Sequence, residues 1–102
     1  MINQETLLQN YDDKKSNYFL LDVRSPFEFE ESHLPGAINI PIEELENNFS
    51  ELPKTKHIIT YCMHGVRSGL AEDFLREKGF RADVLENGLS FWKGQISSGK
   101  GD

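Results

Sequence analysis

The sequence predicts a small α/β domain of three layers, in which helices cover both faces of a mainly parallel sheet of four or five strands. Short apolar runs alternate along the chain with segments of helical periodicity, and this alternation implies right-handed crossovers. The runs are nearly unbroken, which is typical of strands buried on both faces. A chain of 102 residues suffices for one domain with a modest core. We place the domain at 1–96 and a flexible, small and polar tail at 97–102.

The first half of the chain predicts two strands and three helices. In chain order they are a helix at 6–11, a strand at 18–23, a helix from Ser25, a strand at 37–40 and a helix from Pro41 to about Phe49. The second helix has the clearest start, because Ser25 can cap it, Pro26 fits its first position and Glu28 can complete a capping box. Pro35 and Gly36 predict a turn.

The second half predicts two more strands, each followed by a helix. In chain order they are a β-branched strand at 57–61, a helix from Val66 that Gly79 ends, a strand at 82–85 and a helix from Asn87 or Gly88. The apolar residues predicted to share one face of the first helix are Val66, Leu70, Ala71, Phe74 and Leu75. Those that the last helix would carry are Leu89, Phe91 and Trp92.

Composition excludes several classes of function. The net charge is −6, from 11 basic and 17 acidic residues, which argues against nucleic acid or an anionic membrane as the main partner. One cysteine forms no internal disulfide and no cysteine-based zinc site, and we expect no metal. The chain shows no signal peptide and no membrane span, so a lone thiol indicates the reducing cytoplasm.

A short loop joins the third strand to the next helix and carries that cysteine, Cys62. Gly65 lies in its middle, and a tight loop ending at a helix N-terminus turns backbone N–H groups inward to form an anion nest. The helix dipole, a full positive charge on Arg67 and a partial one on His64 add to this effect. We therefore expect the pKa of the Cys62 thiol to fall. The spacing predicts an activated thiol in an anion cradle and does not identify its chemistry.

Three segments stand out as motifs along the chain. They are Asp22-Val23-Arg24-Ser25-Pro26-Phe27-Glu28-Phe29 continued by His33-Leu34-Pro35-Gly36-Ala37-Ile38-Asn39-Ile40-Pro41, then Cys62-Met63-His64-Gly65-Val66-Arg67-Ser68, then Glu86-Asn87-Gly88-Leu89-Ser90-Phe91-Trp92. In this order they resemble the signatures of rhodanese domains, and the likeness runs from about Tyr18 to Trp92. The sequence departs from the family at Ser32 and Asn87, where glycine is common.

The resemblance implies a rhodanese-like fold and a thiosulfate sulfurtransferase that carries sulfur as a persulfide on Cys62. Thiosulfate or another persulfide would donate the sulfur, and a thiol or cyanide would accept it. A partner protein in a sulfur relay is a further expected partner. No metal and no organic cofactor is implied. The residues assigned to substrate binding are the rest of the loop, Met63, His64, Gly65, Val66 and Arg67.

Three charged residues follow the first predicted strand. Asp22 and Arg24 could act as a catalytic carboxylate and guanidinium. We favour a structural pair that braces the loops, joined by Glu28, because charged groups beside a buried strand end need partners.

Two other functions compete with the enzyme. A sulfur carrier or regulatory binding module would use the same loop, so the sequence does not separate it from an enzyme. Phosphatases and arsenate reductases have a related cradle with a loop one residue longer. Here four residues separate Cys62 from Arg67, which suits a single sulfur atom. Arsenate reduction usually needs a further thiol, and this chain has one cysteine.

Overall fold

A computed structural model describes residues 1–10 and 17–100 of the chain. Its strands are β1 (Tyr18–Asp22), β2 (Ile38–Asn39), β3 (His57–Tyr61) and β4 (Arg81–Val84). Its α-helices are α1 (Gln4–Asn10), α2 (Pro26–Glu31), α3 (Leu45–Asn48) and α4 (Val66–Glu77). All strand pairs are parallel, in the order β2-β1-β3-β4, which confirms the predicted α/β class. Within the described residues, no helix has the length and apolar run needed to cross a membrane.

Successive residues of the central strand β3 point to opposite faces of the sheet and enter two separate cores. Ile58 packs in one cluster with Leu75 of α4, whereas Ile59 packs in the other with Leu7 of α1. A strand covered on both faces needs apolar side chains on both, so its sequence is unbroken rather than alternating. The expected helices on both faces of the sheet are therefore present.

The start of α2 follows the predicted capping box. Ser25 Oγ accepts a hydrogen bond from the Glu28 backbone N–H at 3.2 Å, and Glu28 Oε1 accepts one from the Ser25 N–H at 3.2 Å. Pro26 occupies the first turn. This reciprocal bonding satisfies two otherwise unpaired helix donors and fixes the Glu28 carboxylate at the end of the helix.

The apolar residues predicted to share one face of α4 are not all buried. Val66 is 77% exposed and Leu70 is 59% exposed, while the helix buries Ser68, Ala71 and Leu75. The helix begins at the functional site, and Ser68 faces inward there to contact Cys62. This orientation turns Val66 and Leu70 outward.

The predicted last helix is also wrong, because residues 86–91 form consecutive turns. Asn87 and Gly88 have φ values of 66° and 53°. Two successive left-handed residues do not fit into a right-handed helix. We call this segment the 86–91 turn.

The helix predicted from Pro41 to about Phe49 is broken into three short pieces. A 3₁₀ turn at Ile42–Glu44 precedes α3, and a second at Phe49–Glu51 follows it. Asn47 and Asn48 have low helix propensity, so a continuous helix gains little there.

Backbone hydrogen bonds join residues near both ends of the described part of the chain to the domain. His33 and Ser97 exchange two backbone hydrogen bonds, at 2.9 and 2.8 Å. Ile2 bonds to Val84 and Glu86 beside β4. Tyr11, at the end of the predicted first helix, and residues 101–102 of the predicted tail lie outside the described residues.

Candidate active site

The 62–67 loop lies at the carboxyl edge of the sheet, where sites of parallel α/β folds are found. It follows β3, which lies between β1 and β4, and leads directly into α4. Gly65 caps α4 with a φ of 132°, a conformation that glycine adopts without the strain of a side chain. The segment after β1 lies alongside, since the Val23 N–H donates to the Tyr61 carbonyl at 3.1 Å.

The Cys62 sulfur is buried but hydrogen-bonded. The residue is 1% exposed. The Gly65 backbone N–H donates to Sγ at 3.0 Å, and Ser68 Oγ lies 3.3 Å from Sγ. Ser68 Oγ also lies 3.1 Å from the Gly65 carbonyl oxygen. A hydroxyl has one proton, so Ser68 can donate it to the carbonyl beside a thiol or turn it to the sulfur beside a thiolate.

Opposing effects act on the pKa of Cys62, and the net result is a lowered value. Burial raises the pKa of the thiol. Hydrogen bonds from the Ser68 hydroxyl and from the backbone N–H groups of Ser68, Gly65 and His64 together outweigh burial. The N-terminus of α4 adds its dipole in the same direction. The predicted anion cradle therefore consists of hydrogen-bond donors that lie directly beside the Cys62 sulfur.

The 86–91 turn holds the backbone of the loop from behind. The Leu89 N–H donates to the Cys62 carbonyl at 3.1 Å, and the Ser90 N–H donates to the Met63 carbonyl at 3.1 Å. A trans peptide is planar, so its N–H points opposite to its C=O. Holding the Met63 carbonyl on Ser90 therefore directs the His64 N–H away from the turn. This is the N–H that helps to lower the pKa of Cys62.

Glycine is required at position 88 by close backbone approach. A Cβ on Gly88 would lie 2.2 Å from the Cys62 carbonyl oxygen and 2.8 Å from that of Met63. Its φ of 53° also disfavours a side chain. No larger residue fits there without moving the loop.

The His64 ring is oriented by the same turn. Ser90 Oγ lies 2.8 Å from the Met63 carbonyl oxygen and 2.6 Å from His64 Nδ1. The Ser90 hydroxyl therefore links the His64 ring to the backbone of the loop.

Arg67 is paired with Glu28 of α2. Nη1 donates to Glu28 Oε1 at 2.7 Å, and Nη2 donates to Glu28 Oε2 at 3.1 Å. The guanidinium holds the pKa of Glu28 at about 2. Glu28 was expected to join Asp22 and Arg24, but its carboxylate bonds to the loop arginine and its own helix cap.

Asp22 and Arg24 form a buried ion pair below the site, and they are 0% and 1% exposed. Arg24 Nη2 lies 2.6 Å from Asp22 Oδ2, and the Arg24 N–H donates to Asp22 Oδ1 at 2.9 Å. The guanidinium also bonds to the Ser32 carbonyl. Asn39 Nδ2 bonds to the carbonyls of both members of the pair. The pair thus joins the chain after β1 to the segments around α2 and β2.

The structure adds three residues that the sequence did not single out. Ser68 contacts the sulfur, Gly88 allows close approach, and Ser90 holds Met63 and His64. Ser68 and Ser90 belong to the 62–68 and 86–92 motifs, but the sequence does not show where their side chains point, because that depends on packing. Val66 faces solvent.

Comparison with known families agrees with this arrangement. The Rhodanese-like domain family matches residues 3–95. This chain belongs to that family. The resemblance that the three motifs indicated is thereby confirmed, and the match extends over nearly the whole chain.

Three relatives carry different names. YqhL of Bacillus subtilis, named only as uncharacterized, is 40% identical over 79% of this chain. A putative sulfur carrier protein, YrkF of Bacillus subtilis, is 33% identical over 92%, and a sulfurtransferase of Allochromatium vinosum is 32% identical over 89%. The match covers 65%, 51% and 85% of the lengths of these relatives, respectively, which is less than two thirds for the first two. The family and these names support sulfur transfer in general.

A solved structure shows the same fold. The rhodanese-related protein of Thermoplasma volcanium superposes with a TM-score of 0.86 at 34% identity. The superposition covers 94% of this rhodanese-like chain and 95% of that one.

Proposed function

We propose that this protein is a sulfurtransferase that carries sulfane sulfur as a persulfide on Cys62. The observation that supports this most is the set of donors on Sγ, with the Gly65 N–H at 3.0 Å and the Ser68 hydroxyl at 3.3 Å. They favour the thiolate, which is the nucleophilic form. The site takes sulfur from thiosulfate or from an organic persulfide and passes it to a thiol or cyanide.

The first step loads the sulfur. The Cys62 thiolate attacks the outer sulfur of thiosulfate, a new S–S bond forms, and the donor S–S bond breaks to release sulfite with its electron pair. With a protonated persulfide donor, the same attack releases the donor thiolate and leaves Cys62 as S–SH. The loop N–H groups then stabilise negative charge on the loaded sulfur.

The second step returns the enzyme to its starting state. An acceptor thiolate attacks the outer sulfur of the Cys62 persulfide, and the bond between the two sulfurs breaks. Cys62 leaves as a thiolate, which the loop again stabilises, and the acceptor leaves as a persulfide. Charge and protons balance without an oxidant or a reductant. Met63, His64, Gly65, Val66 and Arg67 form the surroundings of the transferred atom, while Asp22, Arg24 and Glu28 support the loop.

Intact-mass spectrometry after incubation with donor tests this function. We expect one added sulfur atom on the wild type with thiosulfate or an organic persulfide, and its removal by cyanide. The matched control, Cys62→Ser, should stay unmodified and folded. No added sulfur from either donor, or equal addition to Cys62→Ser, would overturn the proposal.

A sulfur carrier is the second candidate, because the relative named as a putative sulfur carrier matches 92% of this chain. Such a protein would load sulfur from a dedicated partner in a sulfur relay. Steady-state turnover with thiosulfate and cyanide separates the two. Saturable turnover supports the enzyme, whereas a stable persulfide with negligible turnover supports the carrier.

A further inference from the structure

The Glu28–Arg67 pair neutralises the one arginine of the loop. Its two parallel hydrogen bonds, at 2.7 and 3.1 Å, use both terminal nitrogens of the guanidinium. This fork geometry is the one in which arginine also binds an oxyanion. A donor oxyanion that binds in this end-on fork has to compete with the Glu28 carboxylate for the same two nitrogens of Arg67.

Glu28 is held in place from its own side. Its Oε1 accepts hydrogen bonds from the backbone N–H and the hydroxyl of Ser25, at 3.2 and 3.1 Å. With a pKa of about 2, the carboxylate is charged at neutral pH. Displacing it costs these cap bonds as well as the ion pair.

Arg67 stays within electrostatic reach of the sulfur. Its pKa is raised mainly by hydrogen bonds to Glu28 and further by the negative charge of Cys62. An uncompensated Arg67 would therefore attract an anion bound beside Cys62. With Glu28 in place, the pair contributes no net charge to a domain whose overall charge is −6.

The residues next to the pair are apolar and exposed. Phe27 precedes Glu28 and is 73% exposed, and Val66 precedes Arg67 and is 77% exposed. The ion pair joins the N-terminal turns of α2 and α4, which also carry these two exposed apolar residues. A hydrated dianion gains little from such a surface, whereas the organic part of a persulfide can pack on it.

We propose that Glu28 is a specificity-determining residue that masks Arg67 and thereby disfavours dianionic thiosulfate relative to organic persulfides. This inference rests on the proposed function of Cys62. In the favoured reaction the Cys62 thiolate attacks the outer sulfur of R–S–SH, the R–S bond to that sulfur breaks, and R–S⁻ leaves with the electron pair.

The test compares the rates at which two donors, thiosulfate and 2-hydroxyethyl persulfide, load sulfur onto Cys62. Quenched-flow mixing with intact-mass spectrometry measures the loading. Glu28→Gln keeps an acceptor for the helix cap and removes the charge. We expect the ratio of loading constants, thiosulfate over persulfide, to rise about tenfold, as removal of one partly exposed charge allows. The change should lie in the half-saturating thiosulfate concentration rather than in the maximal rate. Added salt should then weaken thiosulfate use.

Glu30→Gln is the matched control, because it removes one exposed charge from the same helix. It should leave the donor ratio at the wild-type value. In an Arg67→Ala background, Glu28→Gln should no longer raise the ratio, since no guanidinium remains to be unmasked. Thermal denaturation verifies that each variant is folded.

Failure of the inference is distinguishable from failure of the proposed function. If neither donor loads the wild type, the proposed function fails. If both load it but Glu28→Gln leaves the ratio unchanged, or changes it equally with and without Arg67, the masking role is overturned.

Discussion

The charge on the Cys62 sulfur depends on single residues of the loop and of α4 that donate hydrogen bonds to it. The strand–loop–helix pattern predicts Cys62 as an activated thiol, and the Gly65 N–H points to it as the loop argument requires. Arg67 was expected to supply the full positive charge, yet its guanidinium bonds to Glu28, which lies 39 positions earlier. Such a pairing depends on how the fold brings the N-termini of α2 and α4 together at one edge of the sheet, and local sequence does not encode it.

Removing the Ser68 hydroxyl should raise the pKa of Cys62. Ser68→Ala deletes a donor to the thiolate while the thiol form loses less, so the alkylation profile should move to higher pH. We expect the iodoacetamide rate at neutral pH to fall about tenfold, since a hydrogen bond to a charged group contributes about 1.5–3 kcal/mol. Ser50→Ala, which is exposed, serves as the control. An unchanged profile in Ser68→Ala would show that the hydroxyl does not favour the anion.

Among the secondary-structure elements, the 86–91 turn is the support of the loop. It bonds to the carbonyls of Cys62 and Met63, and its glycine lies against both. The turn thus sets the backbone orientation of the loop.

Gly88→Ala tests this support. The added Cβ would lie 2.2 Å from the Cys62 carbonyl oxygen, so the loop must shift. We expect a loss of about 2–3 kcal/mol of unfolding free energy, and sulfur loading reduced at least tenfold in the folded protein. Urea denaturation and intact-mass spectrometry measure these.

Gly69→Ala is the control, because a Cβ there has nothing within 4 Å and the position is helical. It should be neutral, or stabilise by up to about 1 kcal/mol. Equal behaviour of the two alanine variants would contradict a role for close packing at Gly88.

The secondary-structure features that depend on local backbone chemistry were the ones best predicted from the sequence. The β3 bounds and the α2 capping box follow from β-branched residues and from the Ser25 and Glu28 spacing. The helix prediction for residues 86–91 was wrong because the apolar residues of this segment suit a helix, whereas its backbone conformation is set by contact with the loop. Two of the apolar residues predicted on one face of α4, Val66 and Leu70, are exposed because the polar residue Ser68 turns to the sulfur.

In the whole molecule, two apolar cores lie on opposite faces of one sheet. The buried Asp22–Arg24 ion pair lies at the carboxyl edge of that sheet, which also carries the site. Cys62 belongs to the core that α4 covers. Asp22 is the last residue of β1, and Arg24 follows two positions later. Sheet order and this pair place the site. The pair was expected from the single segment that contains Asp22 and Arg24, whereas the sheet order depends on the whole chain.

Asp22→Asn should destabilise the fold by about 3–5 kcal/mol, because it leaves the buried Arg24 guanidinium without its counter-charge. The urea midpoint should fall accordingly. Asp73→Asn, an exposed carboxylate of α4, should shift the midpoint little. Equal midpoints for the two variants would mean that the buried pair does not stabilise the edge.

Ultraviolet titration of the thiolate tests most directly whether the loop stabilises an anion on the sulfur. The chain has one cysteine, so the signal that is absent from Cys62→Ser reports Cys62 alone. We predict a midpoint for the folded wild type below that of the same thiol in denaturant. A midpoint equal to or above the denatured value would contradict the account, because burial would then outweigh the N–H groups and the hydroxyl.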